Sequence, residues 1–404
     1  MYVVNNLIQR NKYDRTETID LSYKGLTKCP DLKEHVWLKE LSLNGNSLKE
    51  IEDELLPSNL ETLDLSNNDF DNEEKIKLPQ TVTTLKLTKN NFHTFDCTHF
   101  PNLKKLDISN NELYSVDKFN NCLEEVDLSH NCLECYLLQF YSVCEIPIDK
   151  FPDSLRKIDL SGNKLNDLQE INEGLIYIDI SYNEFDELPI FPDSLETLLC
   201  SQNSIKDLYY PLPTSILNFD LSCNELENIM IDLPPSLERL DFSNNNLDEF
   251  PDLPTELKYA NFSDNKIRLI KDIPTNMLEL DISNNYITDI PNNIKRNVRT
   301  LYSNGNVIEN DDESKSSSED GLWDLYGDNA SSDNEDFKPF NGTGYTIGST
   351  YGNHVNYTNN YSNYGNYGNY GNYGNYNRTL NLTNITKKTY DPKYKIKFTR
   401  TKIV

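Results

Sequence analysis

Leucine-like side chains recur at a fixed spacing along the first three hundred residues. The stretches LKELSLNGNSL from Leu38, LETLDLSNNDF from Leu60 and LERLDFSNNNL from Leu237 share the pattern L-x-x-L-x-L-x-x-N-x-L. Apolar and polar residues alternate in its L-x-L part, which is typical of a short β-strand with one buried face. The pattern therefore predicts one strand per repeat, with two leucines in a core and the residue between them pointing outward.

The copies are easiest to count on the asparagine of the pattern. An early copy, TETIDLSYKGL, has Lys24 in this position, and thirteen more copies carry Asn46, Asn68, Asn90, Asn111, Asn131, Asn163, Asn183, Asn203, Asn224, Asn245, Asn265, Asn285 and Asn306. The steps are 20 to 22 residues, apart from one of 32 between Asn131 and Asn163. A coil this short cannot bury its leucines alone, so we expect stacked coils with one continuous core. We expect the asparagines to satisfy buried backbone groups of the turns.

The fourteen copies resemble the leucine-rich-repeat family over residues 16–308. The spacers FPDSL at 151–155 and 191–195 and LPPSL at 233–237 are similar to the short repeats of bacterial effector proteins of that family. The resemblance implies an α/β-class solenoid with a parallel sheet on its concave face and a mostly extended or 3-10 convex face. Usage rich in Asn, Ile, Lys and Tyr is typical of AT-rich genomes, such as those of large DNA viruses and protists.

Composition divides the chain into five predicted parts. The tail is expected to be disordered, and its Tyr-rich tract to favour self-association. The island GLWDLYG at 321–327 is either a short linear motif or a packing remnant. The parts are an N-terminal cap at 1–15, the solenoid at 16–308 with an insertion at 134–150 expected to form a bulge or short helix, an acidic Ser-rich segment at 309–340, a Gly/Asn/Tyr segment at 341–386 and a basic segment at 387–404.

The charge of the chain limits its partners. With 65 acidic and 38 basic side chains the net charge is -27, so we expect no nucleic-acid partner for the solenoid and no anionic membrane surface. No apolar stretch approaches 18 residues, and the N-terminus MYVVNNLIQRNKY lacks a signal-peptide pattern. We therefore expect a cytoplasmic protein, in a host cytoplasm if it is viral, with reduced thiols.

The outward position of the predicted strands holds aspartate in nine of the fourteen copies. Stacked carboxylates repel one another, so this strip favours a basic protein partner. The alternative is that the aspartates serve solubility and bond to nearby hydroxyls. Two positions before the aspartate position, at the start of each predicted strand, the residue also points outward. Tyrosine and arginine at this earlier position are candidate anchors because they are enriched at binding hot spots. The candidate partner-binding residues are Asp107, Asp127, Asp159, Asp179, Asp220, Asp241, Tyr177, Arg239 and Tyr259.

Candidate chemistry is sparse. Cys122, Cys132, Cys135 and Cys144 cluster near the insertion and suit either a zinc site or buried, idle thiols. We expect no cofactor and no catalytic residue. The cysteine-dependent ubiquitin ligases among the bacterial relatives need a nucleophile after the repeats, whereas the last cysteine here is Cys223.

These features predict a non-enzymatic protein-interaction scaffold that binds a partner on the concave face. A structural, particle or condensate role acting through the Tyr-rich tail is the alternative. A role as a ubiquitin-ligase adaptor fits less well, because only about fifteen residues precede the repeats.

Overall fold

The computed structural model describes residues 2–134, 136–137, 144–145, 148, 150–168 and 171–308. At 136–137 and 144–145 only the backbone is described. The predicted segments 309–340, 341–386 and 387–404 lie outside the described residues, as does most of the insertion.

The chain begins with helix α1, Tyr2–Asp14, which packs against the first coils. Val4 is buried, and the Asn11 side chain donates to the carbonyl oxygen of Thr16 at 2.9 Å. The Trp37 indole N–H in turn donates to Oδ1 of Asn11 at 3.0 Å. The helix thus covers apolar surface that the first coil would otherwise expose.

The repeats form one parallel sheet of fourteen strands, which lie in chain order along the sheet. Each strand has three residues, and the equivalent residues of neighbouring strands are paired without a register shift. The strands are Thr18–Asp20, Glu40–Ser42, Thr62–Asp64, Thr84–Lys86, Lys105–Asp107, Glu125–Asp127, Lys157–Asp159, Tyr177–Asp179, Thr197–Leu199, Asn218–Asp220, Arg239–Asp241, Tyr259–Asn261, Glu279–Asp281 and Thr300–Tyr302.

The core runs the length of the sheet. The middle residue of each strand is buried in every coil but the last, where Leu301 is only partly buried. Phenylalanines extend the core, and Phe219, Phe242 and Phe262 stack edge to face on successive coils, with ring centroids 5.5 and 6.0 Å apart. Each buried leucine contributes about 2 kcal/mol, which it gains only when both neighbouring coils are present.

The repeat asparagines form the predicted ladder. Asn183 donates to the carbonyl oxygens of Leu160 on the previous coil at 3.0 Å and of Ile180 on its own coil at 3.1 Å. Its Oδ1 accepts the N–H of Leu165, also on the previous coil, at 3.0 Å. One buried amide therefore ties together two coils and satisfies turn groups that no water reaches.

The return side is mostly extended, as predicted, with 3-10 turns at Asp53–Leu55, Glu73–Lys75 and Cys97–His99. Among the described residues its only α-helix is α2, Asn292–Asn297. Within the insertion, expected to form a bulge or a short helix, the four described residues of two short strands pair antiparallel, like the strands of a hairpin. The remaining strands are Thr94–Asp96 with Ser115–Lys118, Tyr136–Leu137 with Cys144–Glu145, and Asp207–Leu208 with Asn228–Ile229.

Candidate functional site

The sheet brings the predicted aspartates into one row. Asp107, Asp127, Asp159 and Asp179 end four neighbouring strands and are paired in register. Leu199 interrupts the row, and Asp220 and Asp241 continue it. We call these six aspartates the aspartate column. Members on adjacent strands are separated by one strand spacing, about 4.8 Å, and Asp179 and Asp220 by two.

Each carboxylate of the aspartate column is held by the backbone. The residue two positions later donates its N–H to the aspartate Oδ1, for example from Ser161 to Asp159 at 2.9 Å. Asn261 accepts the same bond from Ser263 at 3.0 Å, so a neutral amide serves the turn equally well. A serine hydroxyl also donates to Asp241, at 2.6 Å, as the solubility-and-hydroxyl interpretation expects. The solubility-and-hydroxyl interpretation explains why an oxygen acceptor stands at this position, but it does not require that the side chain be charged.

Within the described residues the aspartate column forms no ion pair. None of the thirteen ion pairs found among the described residues includes one of its members. His130 lowers the pKa of Asp159, but burial and Asp179 raise it more. The carboxylates are therefore stabilised by neutral hydrogen-bond donors but by no ion pair among the described residues.

Burial raises the pKa of five of the six aspartates, and neighbouring carboxylates raise it further for four of them. Burial is the main cause in each case, and the neighbouring carboxylate is the next influence that raises the pKa of Asp127, Asp159 and Asp241. The pKa rises to about 7 for Asp127 and Asp241 and to about 6 for Asp159 and Asp179, and that of Asp220 is also raised. Exposed Asp20, at the end of the first strand, behaves oppositely, because its bonds from Ser22 lower its pKa.

The predicted anchors lie on the same face, one column away. Tyr177 is half-buried between Lys157 and Thr197, and burial together with Asp179 raises its pKa. Arg239 and Tyr259 occupy neighbouring strands, and the guanidinium carbon lies 3.8 Å from the ring centroid. All nine candidate residues thus share one face, and the Arg239–Tyr259 pair is organised before any partner arrives.

Sequence reasoning missed two features. Leu199 is only 6% exposed yet does not belong to the hydrophobic core cluster, so it lies as an apolar side chain between Asp179 and Asp220 on the sheet face. Its sequence signal was a leucine where most copies have aspartate. The return side also exposes Ile190 and Met230, at 74% and 62%. No periodic pattern marks these two positions.

The cysteines give no support to a metal site among the described residues. No group of three or more His, Cys, Asp or Glu side chains in that part of the chain could hold a metal ion. Cys122 and Cys132 are exposed, whereas Cys135 and the side chain of Cys144 lie outside the description, so the zinc interpretation stays a prediction. Cys200 is buried in place of a core leucine, and burial raises its pKa.

No described helix combines the length and apolar character that crossing a bilayer requires.

Comparison with known proteins agrees with this geometry. A model described as Leucine Rich Repeat matches residues 236–257, and a second Leucine Rich repeat model matches residues 57–73 and 119–134. The chain therefore folds as a solenoid of leucine-rich repeats. This leucine-rich-repeat chain resembles YopM of Yersinia enterocolitica WA-314, with a TM-score of 0.56 and 26% identity over 74% of this chain and 67% of that one. No curated protein sequence matches it significantly.

Two further solved structures share the solenoid. YopM of Yersinia pestis, described as a leucine-rich effector protein, matches with a TM-score of 0.63 and 26% identity over 74% of this chain and 81% of that one. A leucine-rich-repeat protein of Leptospira interrogans has a TM-score of 0.53 and 20% identity over 74% of this chain and 93% of that one. The match to YopM shows that the repeats resemble those of effector proteins. The match to the Leptospira protein shows a shared fold alone.

Proposed function

We propose that the chain is a non-enzymatic scaffold that binds a basic protein segment across the sheet face, with the aspartate column as its main contact. The observation that carries this proposal is a row of half-buried carboxylates that form no ion pair within the described part of the chain. Leucine-rich-repeat solenoids generally serve as protein-interaction scaffolds. The likeness to the effector YopM is consistent with action in a cytoplasm, that of a host included.

The energetics favour a basic occupant. Like charges about 5 Å apart repel, and partial burial strengthens that repulsion because the local dielectric constant is lower than in water. The amide of Asn261 shows that the turn does not need a charge. Lysine or arginine side chains placed along the row relieve the repulsion and return each pKa toward its ordinary value. A partially buried ion pair of this kind contributes about 1 kcal/mol.

The neighbouring column supplies directional contacts. Tyr177 offers a half-buried ring beside Asp179, and Tyr259 offers a ring already stacked by Arg239. Aromatic side chains and arginine are frequent at hot spots because they bury large areas at low entropic cost. We expect the partner to place cations over the aspartates and apolar or aromatic groups over the tyrosines.

A labelled eight-residue lysine peptide tests the charge requirement by fluorescence anisotropy. At pH 8, above the raised pKa values, the triple variant Asp127→Asn, Asp159→Asn and Asp179→Asn keeps the turn bonds but removes three charges. We expect it to bind at least about tenfold more weakly, since three ion pairs of about 1 kcal/mol are lost.

The matched control removes the same net charge from exposed positions outside the sheet, by Asp153→Asn, Asp193→Asn and Asp232→Asn. Equal weakening in the control and the triple variant would mean that the peptide senses net charge only. That result would contradict a binding site on the sheet face.

A further inference from the structure

The return side of the solenoid carries a short second sheet. Its strands, Asp207–Leu208 and Asn228–Ile229, belong to neighbouring coils and pair parallel. The Asn228 amide donates to the Asp207 carboxylate at 2.8 Å, which ties the two strands together. The N–H of Met230 also donates to the carbonyl oxygen of Leu208 at 3.1 Å. The return segment around Met230 is therefore fixed against the coil before it.

This second sheet does not continue into the next coil. Pro251 stands 21 residues after Met230, at the equivalent position of the repeat. Proline has no N–H, so Pro251 cannot repeat the backbone bond that Met230 makes. A groove of about 820 Å³ lies here, lined by residues 227–233, residues 247–254 and Lys271, and we call it the return groove. Its volume is in the range of roughly 300 to 1,000 Å³ that is typical of ligand sites, so it can take a few side chains.

Apolar and acidic side chains line the return groove together. Met230 is 62% exposed, and Ile229 and Leu253 are only partly buried against the core. Five acids also line the groove, and one of them, Asp252, pairs with Lys271 at 3.3 Å. The other four are exposed and form no ion pair as far as the chain is described, and they are Glu227, Asp232, Asp248 and Glu249. The groove thus offers apolar contact area bordered by negative charge.

The charge of the return groove decides between possible occupants. A nucleic acid or an anionic membrane brings negative charge to this acidic surface, and so does a second copy of a chain whose net charge is -27. A purely apolar segment would take the acids out of water without pairing them, which is costly. A segment that is both apolar and basic meets neither penalty.

We propose that the return groove binds a protein segment in which two or three aliphatic residues stand between lysines or arginines. The aliphatic side chains cover Met230 and Leu253, and the cations pair with the acids that line the groove. The return groove shares no residue with the aspartate column. This second surface is therefore independent of binding on the sheet face.

Two labelled heptapeptides test the apolar contact by fluorescence anisotropy with the full chain. Lys-Lys-Leu-Ile-Leu-Lys-Lys has both required features, and Lys-Lys-Ser-Ser-Ser-Lys-Lys has the same charge without apolar side chains. We expect the leucine peptide to bind at least about tenfold more tightly, because burying one leucine side chain suffices for that factor. Equal affinities of the two peptides would overturn the proposal.

A pair of single variants locates this preference. Met230→Gln removes the most exposed apolar side chain of the return groove and should reduce the preference for the leucine peptide at least about threefold. The matched control is Ile190→Gln, which alters a similarly exposed apolar side chain outside the groove and should leave the preference unchanged. An equal reduction in the two variants would contradict a site in the groove.

The charge requirement is tested by two triple variants that remove equal charge. Affinity for the leucine peptide should fall about fivefold or more in the groove variant, which combines Glu227→Gln, Asp232→Asn and Glu249→Gln. It should change little in the control, which alters exposed acids of earlier coils by Glu50→Gln, Glu54→Gln and Asp69→Asn. A similar fall in both would mean that the peptide responds to net charge alone, against the proposal.

Two further results would assign the peptide or the groove elsewhere. The sheet-face variant Asp127→Asn, Asp159→Asn and Asp179→Asn should keep the preference for the leucine peptide, and loss of that preference would move the apolar contact to the sheet face. Sedimentation should show no dimer that depends on Met230. Dimers that Met230→Gln abolishes would make a second copy of the chain the occupant and overturn the proposed partner.

Discussion

Replacing Asp159 with asparagine should stabilise the folded chain at pH 8. The folded-state pKa of Asp159 is raised from 3.8 to about 6, and this difference corresponds to about 3 kcal/mol of unfavourable interaction for the charged form. Asparagine keeps an oxygen for the N–H of Ser161, as Asn261 does for Ser263. Allowing for relaxation and water, we expect the free energy of unfolding to rise by about 1 to 3 kcal/mol.

The stabilisation by Asp159→Asn should depend on pH. Because folding raises the pKa, the protonated carboxyl favours the folded state fully only below the unfolded value near 3.9, and this contribution is lost as pH rises through about 6. The advantage of Asp159→Asn should therefore be complete at pH 8 and fall to about half at pH 5. Urea denaturation followed by circular dichroism at both values measures it.

The control for this prediction is Asp20→Asn. Asp20 accepts the same bond from its serine, Ser22, at 2.8 Å, but its pKa is lowered. The substitution should leave stability unchanged or slightly reduce it. If Asp159→Asn proves destabilising at pH 8, or if both variants respond alike, the carboxylates of the column are not in conflict and the reasoning behind the binding site fails.

Three other substitutions or reactions have definite expected outcomes. Asn183→Ala should lower the free energy of unfolding by about 3 kcal/mol, because a buried amide with three bonds is lost; an unchanged urea midpoint would contradict the ladder. Arg239→Ala should cost about 0.5 to 1 kcal/mol by removing the contact with the Tyr259 ring, and a neutral result would show that the stack contributes nothing. Exposed Cys122 should react with a thiol reagent well before buried Cys200; mass spectrometry of the labelled peptides decides the order.

The strands, their number and their register follow from the sequence because each is determined locally and repeated. An L-x-L alternation determines which side of a strand is buried, and a constant step of about twenty residues keeps equivalent residues in line. The buried asparagines follow for the same reason. The antiparallel pairing within the insertion did not follow, because residues 134–150 lack any repeat from which to read a conformation.

The state of the candidate site depends on contacts between coils. From the sequence, Asp127 and Asp159 were predicted to face outward, and they do lie on the sheet face. Their partial burial arises from side chains of neighbouring strands about twenty residues or more away in the chain. The stacking of Arg239 on Tyr259 depends likewise on two side-chain rotamers. Residue identity and period predict that these groups are neighbours, but not how much water each retains.

The repeat pattern and the contacts between coils together explain why the aspartate column suits recognition better than stability. A turn that needs only an acceptor is served by asparagine at 261, yet the column carries acids, and neighbouring carboxylates raise the pKa of Asp127, Asp159, Asp179 and Asp241. At these four positions the charged form is unfavourable in the folded chain. A cationic segment bound as proposed would relieve this repulsion at several coils at once, so the unfavourable energy along the face would become affinity for a partner with basic residues at matching intervals.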